Sequence, residues 1–497
     1  MKYQNPIIRG FHPDPSVCRV GEDYYLVTSS FEYFPGIPIY HSTDLVNWRQ
    51  IGNCINRNEQ LVLKDAGNSG GIWAPTIRYY EGTFYVTATY SNRGNFILST
   101  QDILGAWSEP VWVDMNGIDP SLYFEDKKAY YCTNAREHSE TEEISLAEID
   151  LSTGQRKSDL KAVWAGTGGG WLEAPHIYYI DGWYYLMTAE GGTSFGHMIT
   201  LARSKTIWGP YESCPENPIL TNRNDTSKQI QCAGHGDLVD DKNGNWWLVH
   251  LGIRPTNGKS NLGRETFLTP VVFENGWLRI ADGKARMEYD APILHEQKRI
   301  NRMVFDFKQK MWEPQWIFLH SPAAEAYQRK NGCVTLYPST SSFDAPESPT
   351  FAAVRPLDFD CSFETVLDFA PQKVGDEAGV VIYLQSDFHY RICKRKTEQG
   401  IVIAVEKTAD DFNQVAYQRE VPEGTLHVKI ACDRVYYHFY YAVGDEPMQE
   451  ACMASTRFLC CETTDRSFTG TVMGIYALGR EKTDTGAVFH EIVMNVE

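Results

Sequence analysis

Short apolar and aromatic runs, separated by tight turns, recur along roughly the first 300 residues of the chain. The runs are rich in Tyr, Trp, Val and Thr, which are residue types that favour strands. The turns carry Gly, Asp or Asn, which tolerate the positive φ that a tight hairpin requires. No segment of useful length shows helical periodicity. The pattern therefore predicts antiparallel β-strands throughout this region.

Five copies of one unit can be aligned along this region. Each copy has a turn residue, an apolar strand, a short turn and an aromatic strand. They begin at residues 14, 74, 119, 174 and 236, with the sequences DPSVCRVGEDYYLV, APTIRYYEGTFYV, DPSLYFEDKKAYYC, APHIYYIDGWYYLM and GDLVDDKNGNWWLV. Starting points roughly 45 to 65 residues apart are near the range for four-stranded propeller blades. We predict a five-bladed β-propeller over residues 1–297, with a β-helix or stacked sandwiches as the alternatives.

The pattern changes after about residue 282, where a mixed polar segment is suited to a linker between domains. Strand-like alternation then resumes in longer runs that lack the Asp-Pro and Ala-Pro starts. These features predict an antiparallel β-sandwich over residues 298–497. The predicted fold class is therefore all-β, in two domains.

Composition narrows the classes of partner. The 497-residue chain has a formal net charge of −18, which argues against a nucleic-acid or anionic-membrane partner. No apolar run approaches the roughly 20 residues that span a bilayer. The twelve cysteines show no zinc-type spacing, and the amino terminus lacks the apolar core of a signal peptide. We expect a cytoplasmic protein with reduced thiols.

Three carboxylates stand at the starts of the repeated units. Asp14 and Asp119 each precede a proline, and Glu173 precedes the Ala-Pro pair of the fourth unit. Because the first strand of each blade lines the central channel, we expect these three side chains to converge at one channel mouth. Flanking prolines should hold Asp14 in extended, poorly adjustable backbone. The alternative is that Asp-Pro turns merely begin strands.

Such a triad suits hydrolysis of a glycosidic bond, in which one carboxyl gives a proton to the leaving oxygen and another, ionised, activates water. Glu173 is the better candidate for the acid, since Trp171 and Leu172 make an apolar setting that favours the protonated form. Asp14 and Asp119 lie in turns whose backbone donors should favour ionisation. A third carboxylate can raise the pKa of the acid by like-charge repulsion.

Six motifs together resemble glycoside hydrolase family 43, in its β-xylosidase and α-L-arabinofuranosidase type with a carboxy-terminal β-sandwich. They are NPIIRGFHPDPSV, GIWAPTIRYYEGTFYV, IDPSLYF, EAPHIYYIDGWYYLMTAEGGT, AGHGDLV and LGRETFL. The resemblance implies an inverting, exo-acting hydrolase with no catalytic metal, on a five-bladed propeller followed by a concanavalin-like sandwich. It assigns Asp14 as general base, Glu173 as general acid and Asp119 as the residue that tunes and orients the acid.

The resemblance also implies a set of binding residues. Phe31 and Trp73 match aromatics that bound the sugar pocket, and Arg264 matches an arginine that hydrogen-bonds sugar hydroxyls. Phe468 is the candidate for a sandwich loop that closes the pocket mouth, with a place in the sandwich core as its alternative. His235 matches a histidine that faces the channel axis near a bound calcium or a water. His12 and His197 are expected to be structural.

These observations lead to the expectation of an enzyme that releases terminal pentoses from xylo-oligosaccharides or arabinoxylan fragments. The alternative is a carbohydrate-binding propeller without catalysis, and a purely interaction propeller would leave the aromatic and arginine positions unexplained. No cofactor is expected for catalysis, although the resemblance allows a structural calcium and a homo-oligomer. The sequence does not distinguish xylose from arabinose.

Overall fold

The computed structural model describes residues 2–135, 142–290, 295–343, 345, 347–464 and 467–497. In these residues the regular structure consists of strands and three one-turn 3₁₀ helices, at Ala281–Gly283, Ala324–Ala326 and Thr456–Phe458. The helices contain no segment long and apolar enough to cross a membrane, as far as the described ranges extend.

Five four-stranded antiparallel sheets, blades I to V, follow one another along the first part of the chain. The innermost strands of successive blades contact each other, and that of blade V contacts that of blade I, so the blades close into a ring. The five-bladed propeller that the repeats predict is confirmed. The strands are, for blade I, Ser16–Val20, Asp23–Val27, Gly36–Ser42 and Arg49–Ile55; for blade II, Ile72–Tyr80, Thr83–Tyr90, Gly94–Thr100 and Val111–Trp112; for blade III, Ser121–Glu125, Lys128–Thr133, Ile144–Ile149 and Lys161–Trp164; for blade IV, Glu173–Ile180, Trp183–Glu190, Met198–Ser204 and Glu212–Ser213; and for blade V, Gln231–Asp240, Trp246–Ile253, Glu265–Glu274 and Trp277–Arg279.

One buried carboxylate ties four of the five blades together inside the channel. Asp237 of blade V accepts hydrogen bonds from Ser16 Oγ of blade I at 2.6 Å and from Arg78 Nη1 of blade II at 2.7 Å. It also accepts one from the Tyr178 hydroxyl of blade IV at 2.5 Å. Burial alone would raise the pKa of Asp237, but Arg78 and His176 hold it well below its ordinary value. The closed ring therefore has an ionised carboxylate as its hub.

The second domain is a sandwich of two antiparallel sheets. The predicted boundary at 297/298 falls between Glu288–Asp290, which pairs with the amino-terminal strand Lys2–Gln4, and the first sandwich strand, Arg302–Phe305. One sheet has nine strands: Arg302–Phe305, Tyr327–Lys330, Cys333–Leu336, Cys361–Asp368, Leu426–Asp433, Tyr436–Val443, Gln449–Ser455, Ala487–Phe489 and Ile492–Val496. The other has six: Thr350–Val354, Glu377–Gln385, Phe388–Lys396, Ile401–Ala409, Phe412–Glu420 and Val472–Leu478.

The two domains share hydrophobic core. The short strand Tyr33–Phe34 of the propeller pairs with Phe318–Leu319, which lies between the first two sandwich strands along the chain. Phe11 and Phe31 of the propeller pack in one cluster with Ile317, Phe351 and other sandwich side chains. Because this cluster lies beside the channel mouth, the sandwich is positioned to form part of the same wall.

Candidate active site

A cavity of about 570 Å³ lies where the inner strands of the blades begin. All eight residues that the sequence singles out line it, namely Asp14, Phe31, Trp73, Asp119, Glu173, His235, Arg264 and Phe468. The two domains both contribute, since Phe468 belongs to the sandwich. The expected convergence of the three carboxylates is therefore what the structure shows.

An unusual backbone conformation recurs at the start of each inner strand. The first residue of each motif, or the one before it, has a positive φ; the angles are Asp14 54°, Ala74 35°, Asp119 53°, Ala174 51° and His235 46°. The expectation of an extended Asp14 is therefore wrong. Register shifts at the same place in blades II, IV and V show that the strands bulge there. Bulges of this kind redirect side chains, and holding a non-glycine residue in this region costs about 1–3 kcal/mol.

Asp14 is held as an ion by direct partners. Arg264 Nη1 donates to Asp14 Oδ1 at 2.7 Å, and the Ser29 hydroxyl donates to Oδ2 at 2.6 Å. Ser29 Oγ in turn accepts the Ala74 backbone N–H at 2.7 Å, so the start of blade II orients the carboxylate of blade I. Burial would raise the pKa of Asp14, but Arg264, His235 and the Ser29 hydrogen bond together bring it below its ordinary value.

Glu173, in contrast to Asp14, favours its protonated form. Burial, followed by the negative charge of Asp14, raises the pKa of Glu173 to about 8, although Arg264 acts against this. Burial thus shifts the pKa of Glu173 in the expected direction, although Trp171, one of the neighbours from which the apolar setting is predicted, is itself mostly exposed. At neutral pH Glu173 keeps its proton while Asp14 is ionised, which is the pairing that acid and base catalysis require.

Asp119 differs from the expectation that its turn favours ionisation. Burial and the carboxylates of Glu173 and Asp14 raise the pKa of Asp119 well above its ordinary value. Burial is the largest cause of this shift in pKa, and the positive charge of Arg264 opposes it without reversing it. The protonated form of Asp119 is therefore favoured beside Glu173.

His235 lies between the two aspartates, with Nδ1 3.8 Å from Asp14 Oδ1 and 3.8 Å from Asp119 Oδ2. Burial lowers the pKa of His235, which favours the neutral ring. Among the described residues, no group of three or more His, Cys, Asp or Glu side chains is arranged to hold a metal ion. Calcium takes six to eight oxygen ligands, so these side chains alone do not fit it, and a calcium or water at His235 stays a prediction.

The predicted aromatic residues form one side of the cavity. Phe31 is buried, and its ring lies 6.5 Å from that of Phe468 in a stacked arrangement. Both Trp73 and Phe468 are held by Ser69: Trp73 Nε1 donates to the Ser69 carbonyl at 2.9 Å, and the Phe468 backbone N–H donates to Ser69 Oγ at 2.8 Å. The side chain of Phe468 is thus at the pocket and not in the sandwich core.

Arg264 joins three parts of the wall. Besides Asp14, its guanidinium donates to Thr193 Oγ1 at 3.1 Å and to the Phe468 carbonyl at 3.0 Å. Its Cζ lies 5.7 Å from the Phe31 ring centre and 5.9 Å from that of Phe468. This arginine therefore orients the Asp14 carboxylate and fixes the sandwich loop.

Several cavity residues lie in loops whose conformation the sequence leaves open, and they are not among the predicted binding residues. Trp171 and Phe195 stand at the rim with 69% and 40% of their surface exposed, and Thr193 lies between them along the chain and contacts Arg264. Their loops, TGGGWL and AEGGTSFG, have a recognisable glycine content but no periodicity from which a conformation could be predicted. An aromatic residue in each of these glycine-rich loops is the sequence signal that could have indicated Trp171 and Phe195.

The two remaining histidines differ in position. His12 lies outside this cavity and its Nδ1 is 2.8 Å from the Tyr40 hydroxyl, as expected for a local hydrogen-bond partner. His197 lines the cavity and is held through Nδ1 by the Cys232 carbonyl at 3.0 Å. Its Nε2 has no hydrogen-bond partner within the described part of the chain.

A closed propeller with an ionised and a protonated carboxyl in one aromatic-walled cavity defines a glycoside hydrolase. Comparison with known proteins agrees with this class. Residues 3–278 match the family model described as glycosyl hydrolases family 43, and residues 304–494 match that of the beta xylosidase C-terminal concanavalin A-like domain. The chain belongs to glycoside hydrolase family 43.

Full-length relatives support the same assignment. The chain is 38% identical to the non-reducing end alpha-L-arabinofuranosidase BoGH43B of Bacteroides ovatus, over 97% of this chain and 92% of that protein. It is 35% identical to the xylosidase/arabinosidase of Butyrivibrio fibrisolvens, over 96% of both. The crystal structure of xylan beta-1,4-xylosidase from Bacillus halodurans C-125 superposes with a TM-score of 0.92 at 33% identity, covering 99% of each chain.

Proposed function

We propose that this protein is an inverting, exo-acting glycosidase that removes terminal xylose or arabinofuranose units from short oligosaccharides. The observation that carries the proposal is the convergence of Asp14 and Glu173 in a single cavity, where Arg264 contacts Asp14 and favours its ionised form while burial favours the protonated form of Glu173. One of the relatives described above is named as an arabinofuranosidase and another as a xylosidase/arabinosidase. Both are similar to this protein over nearly the whole chain.

Asp14 acts as the general base in this mechanism. Its carboxylate, oriented by Arg264 and Ser29, accepts a proton from a water molecule as that water attacks the anomeric carbon. An inverting enzyme needs room for the water, and its two carboxyls are about 6.5–9.5 Å apart. The base stays ionised well below neutral pH because Arg264 lies against it.

Glu173 acts as the general acid. Its proton goes to the glycosidic oxygen as the bond to the anomeric carbon breaks, and the leaving sugar departs as an alcohol. A pKa of about 8 keeps this proton in place at neutral pH. Asp119, whose protonated form is favoured by burial and by the neighbouring carboxylates, is a positioning residue for the acid.

The shape of the site fits release of a terminal sugar. Phe31, Trp73 and Phe468 bound an inner pocket, and the sandwich closes one side of it. Trp171 and Phe195 at the rim offer flat apolar faces on which the remaining sugars of the substrate can stack. A cytoplasmic location, a homo-oligomer and a bound calcium remain predictions.

The decisive experiment compares wild type with Glu173→Gln on xylobiose and on an arabinofuranosyl xylo-oligosaccharide. We expect kcat to fall by about 10²–10⁴-fold, the usual contribution of general acid catalysis. Xylobiose is the informative substrate, because an aryl leaving group needs little protonation. Proton NMR of the first product should show the inverted anomer.

Glu212→Gln is the matched control, since Glu212 lies on the same blade but is exposed at its outer strand. It should retain wild-type activity. Wild-type activity of Glu173→Gln on xylobiose, or a retained anomer, would exclude the proposed mechanism. Tight sugar binding by a wild-type protein that hydrolyses neither substrate would favour the carbohydrate-binding alternative.

A further inference from the structure

A second cavity, of about 140 Å³, lies between the domains, and His12 is one of the residues that line it. Its wall comes from the amino-terminal segment, blade I, the linker after residue 295 and the sandwich segment around Arg355. Four of its lining side chains are cationic, namely Arg9, Lys298, Arg299 and Arg355. Among the described residues, no Asp or Glu lines it.

Arg355 is the most unusual of these cations. It is only 6% exposed, and its Nε and Nη2 have no hydrogen-bond partner in the described part of the chain. One face of the guanidinium lies over the Phe11 ring, 5.5 Å from its centre. Burial lowers the pKa of Arg355, and only the hydroxyls of Tyr40 and Tyr33 oppose this. A buried guanidinium without an acidic partner is costly, so a compensating charge is expected.

The nearby carboxylates are already committed to other arginines. Asp358 pairs with Arg9 at 2.9 Å and with Arg254 at 3.0 Å. Glu265 pairs with Arg254 at 2.7 Å. These two acids therefore offset Arg9 and Arg254 and leave nothing for the remaining cations.

Arg299 adds a second guanidinium without an acidic partner. Among the described residues it forms no ion pair, and its Nη2 donates to the Gln4 carbonyl at 3.2 Å. Burial and the positive charges of Arg9 and Arg254 lower the pKa of Arg299, against the effects of Asp358 and Glu265. The wall of the cavity thus carries an uncompensated positive charge on two of its sides.

We propose that this interdomain cavity binds a small tetrahedral oxyanion of the phosphate class through Arg355 and Arg299. A cavity of this volume admits a phosphate-sized ion with few accompanying groups. Planar guanidinium groups suit the oxygen geometry of such an ion. The bound anion would join the amino-terminal segment, the linker and the sandwich, and so couple the two domains.

Isothermal titration calorimetry of the full-length protein with potassium phosphate tests this, at ionic strength held constant with potassium chloride. We expect saturable binding of one phosphate per chain. A saturable signal separates site binding from the general stabilising effect of phosphate as an excluded salt, which rises with concentration without saturating. A parallel titration with sulfate shows whether another tetrahedral oxyanion binds. A parallel titration with glycerol 3-phosphate shows whether a phosphate monoester enters the cavity as well as the free ion.

Arg355→Gln should weaken phosphate binding at least about tenfold, since each charge-assisted hydrogen bond contributes on that order. Arg302→Gln, at an exposed arginine of the first sandwich strand that does not line the cavity, should bind as wild type does. Arg299→Gln, at the less buried guanidinium, gives the same test if the first variant does not fold by near-UV circular dichroism. No saturable binding in wild type, or equal binding in wild type and both cavity variants, would overturn the proposal.

Discussion

Asp14 and Glu173 show how neighbouring groups in one dry cavity acquire opposite protonation. Both side chains are buried, and burial by itself raises the pKa of each carboxyl. Arg264 makes the difference, because its Nη1 contacts Asp14 directly at 2.7 Å. The same charge lowers the pKa of Glu173 less, and Glu173 stays protonated near neutrality.

Removing the charge of Arg264 should move the whole pH profile of kcat/KM to higher pH. In Arg264→Gln the pKa of Asp14 rises, so the acidic limb moves upward by about 1–2 pH units. The pKa of Glu173 rises as well, since Arg264 lowers it in the wild type, and the alkaline limb near pH 8 follows.

Arg264→Lys is the control for this prediction because it keeps the charge and loses the planar fork. Its kcat/KM should fall while both limbs stay close to their wild-type positions. A lower profile with unmoved limbs in Arg264→Gln would mean that this arginine binds sugar without setting the pKa of either carboxyl.

Glu32 is a buried carboxyl outside the cavity, at the domain interface next to Phe31. It is 1% exposed, and neither carboxyl oxygen has a hydrogen-bond partner among the described residues. Burial raises the pKa of Glu32 to about 8, despite nearby backbone N–H groups. Between about pH 4.5 and pH 8 the unfolded chain ionises this group while the folded protein keeps its proton. The free energy of unfolding therefore falls as pH rises through this window.

Glu32→Gln should remove this pH dependence and stabilise the protein at pH 8 relative to wild type by on the order of a few kcal/mol. Chemical denaturation at pH 5 and pH 8 measures it, and the two proteins should differ least at pH 5. Glu81→Gln, in an exposed hairpin turn, serves as the control and should follow the wild type. An equal loss of stability with pH in Glu32→Gln and wild type would contradict the prediction.

At the scale of elements, the loop before Glu173 is organised around one buried carboxylate. Glu190, 1% exposed at the end of the next strand, accepts the backbone N–H groups of Thr167 and Gly169 at 2.9 and 2.8 Å. Gly166, Gly168 and Gly170 have φ of 71°, 85° and 73°, which the glycines adopt without strain. The loop therefore wraps around Glu190 and delivers Trp171 and Glu173 to the cavity.

Glu190→Ala should lower kcat/KM on xylobiose by about 10–100-fold, because the acid loses its fixed position. It should also reduce the free energy of unfolding by about 1–3 kcal/mol, since the loop N–H groups lose their acceptor. Steady-state kinetics and denaturation measure the two effects. Glu190→Gln keeps one acceptor oxygen, so its kcat/KM and stability should lie between those of Glu190→Ala and wild type. Equal kinetics for Glu190→Ala and wild type would show that the loop keeps its conformation without Glu190.

At the scale of the whole molecule, the sandwich completes the pocket and part of the propeller core. Phe468 lines the cavity, and its carbonyl accepts a hydrogen bond from Arg264. Phe11, Phe31 and Tyr33 of the propeller are buried in a cluster shared with the sandwich. Neither domain therefore has a fully polar surface where the two meet.

A chain ending at residue 297 should be recovered mainly as insoluble protein, with no measurable hydrolysis of xylobiose. Separation would expose the shared aromatic cluster and remove Phe468 from the pocket. Soluble yield and activity provide the measurement. Coexpression with residues 298–497 should restore both, and a soluble, fully active 1–297 fragment would show that the sandwich is dispensable.

The sequence by itself determined the repeat and the all-β class. It also determined which three carboxylates meet at the channel mouth. Hairpin turns and alternating aromatic strands are local, and five similar units have few ways to bury their faces other than as a ring. The apolar residues beside Glu173 likewise indicated a protonated acid, because burial acts through immediate neighbours.

Tertiary structure alone decided how these residues act together. The positive φ of Asp14 recurs at the equivalent position of the other four blades, and the pKa of Asp119 depends on burial and on charges from blades I and IV. Trp171 reaches the rim only because Glu190 holds its loop, and Phe468 reaches the pocket only because the sandwich docks beside Ser69. Long-range contacts and the loss of solvent set these features, and neither leaves a periodic signal in the chain.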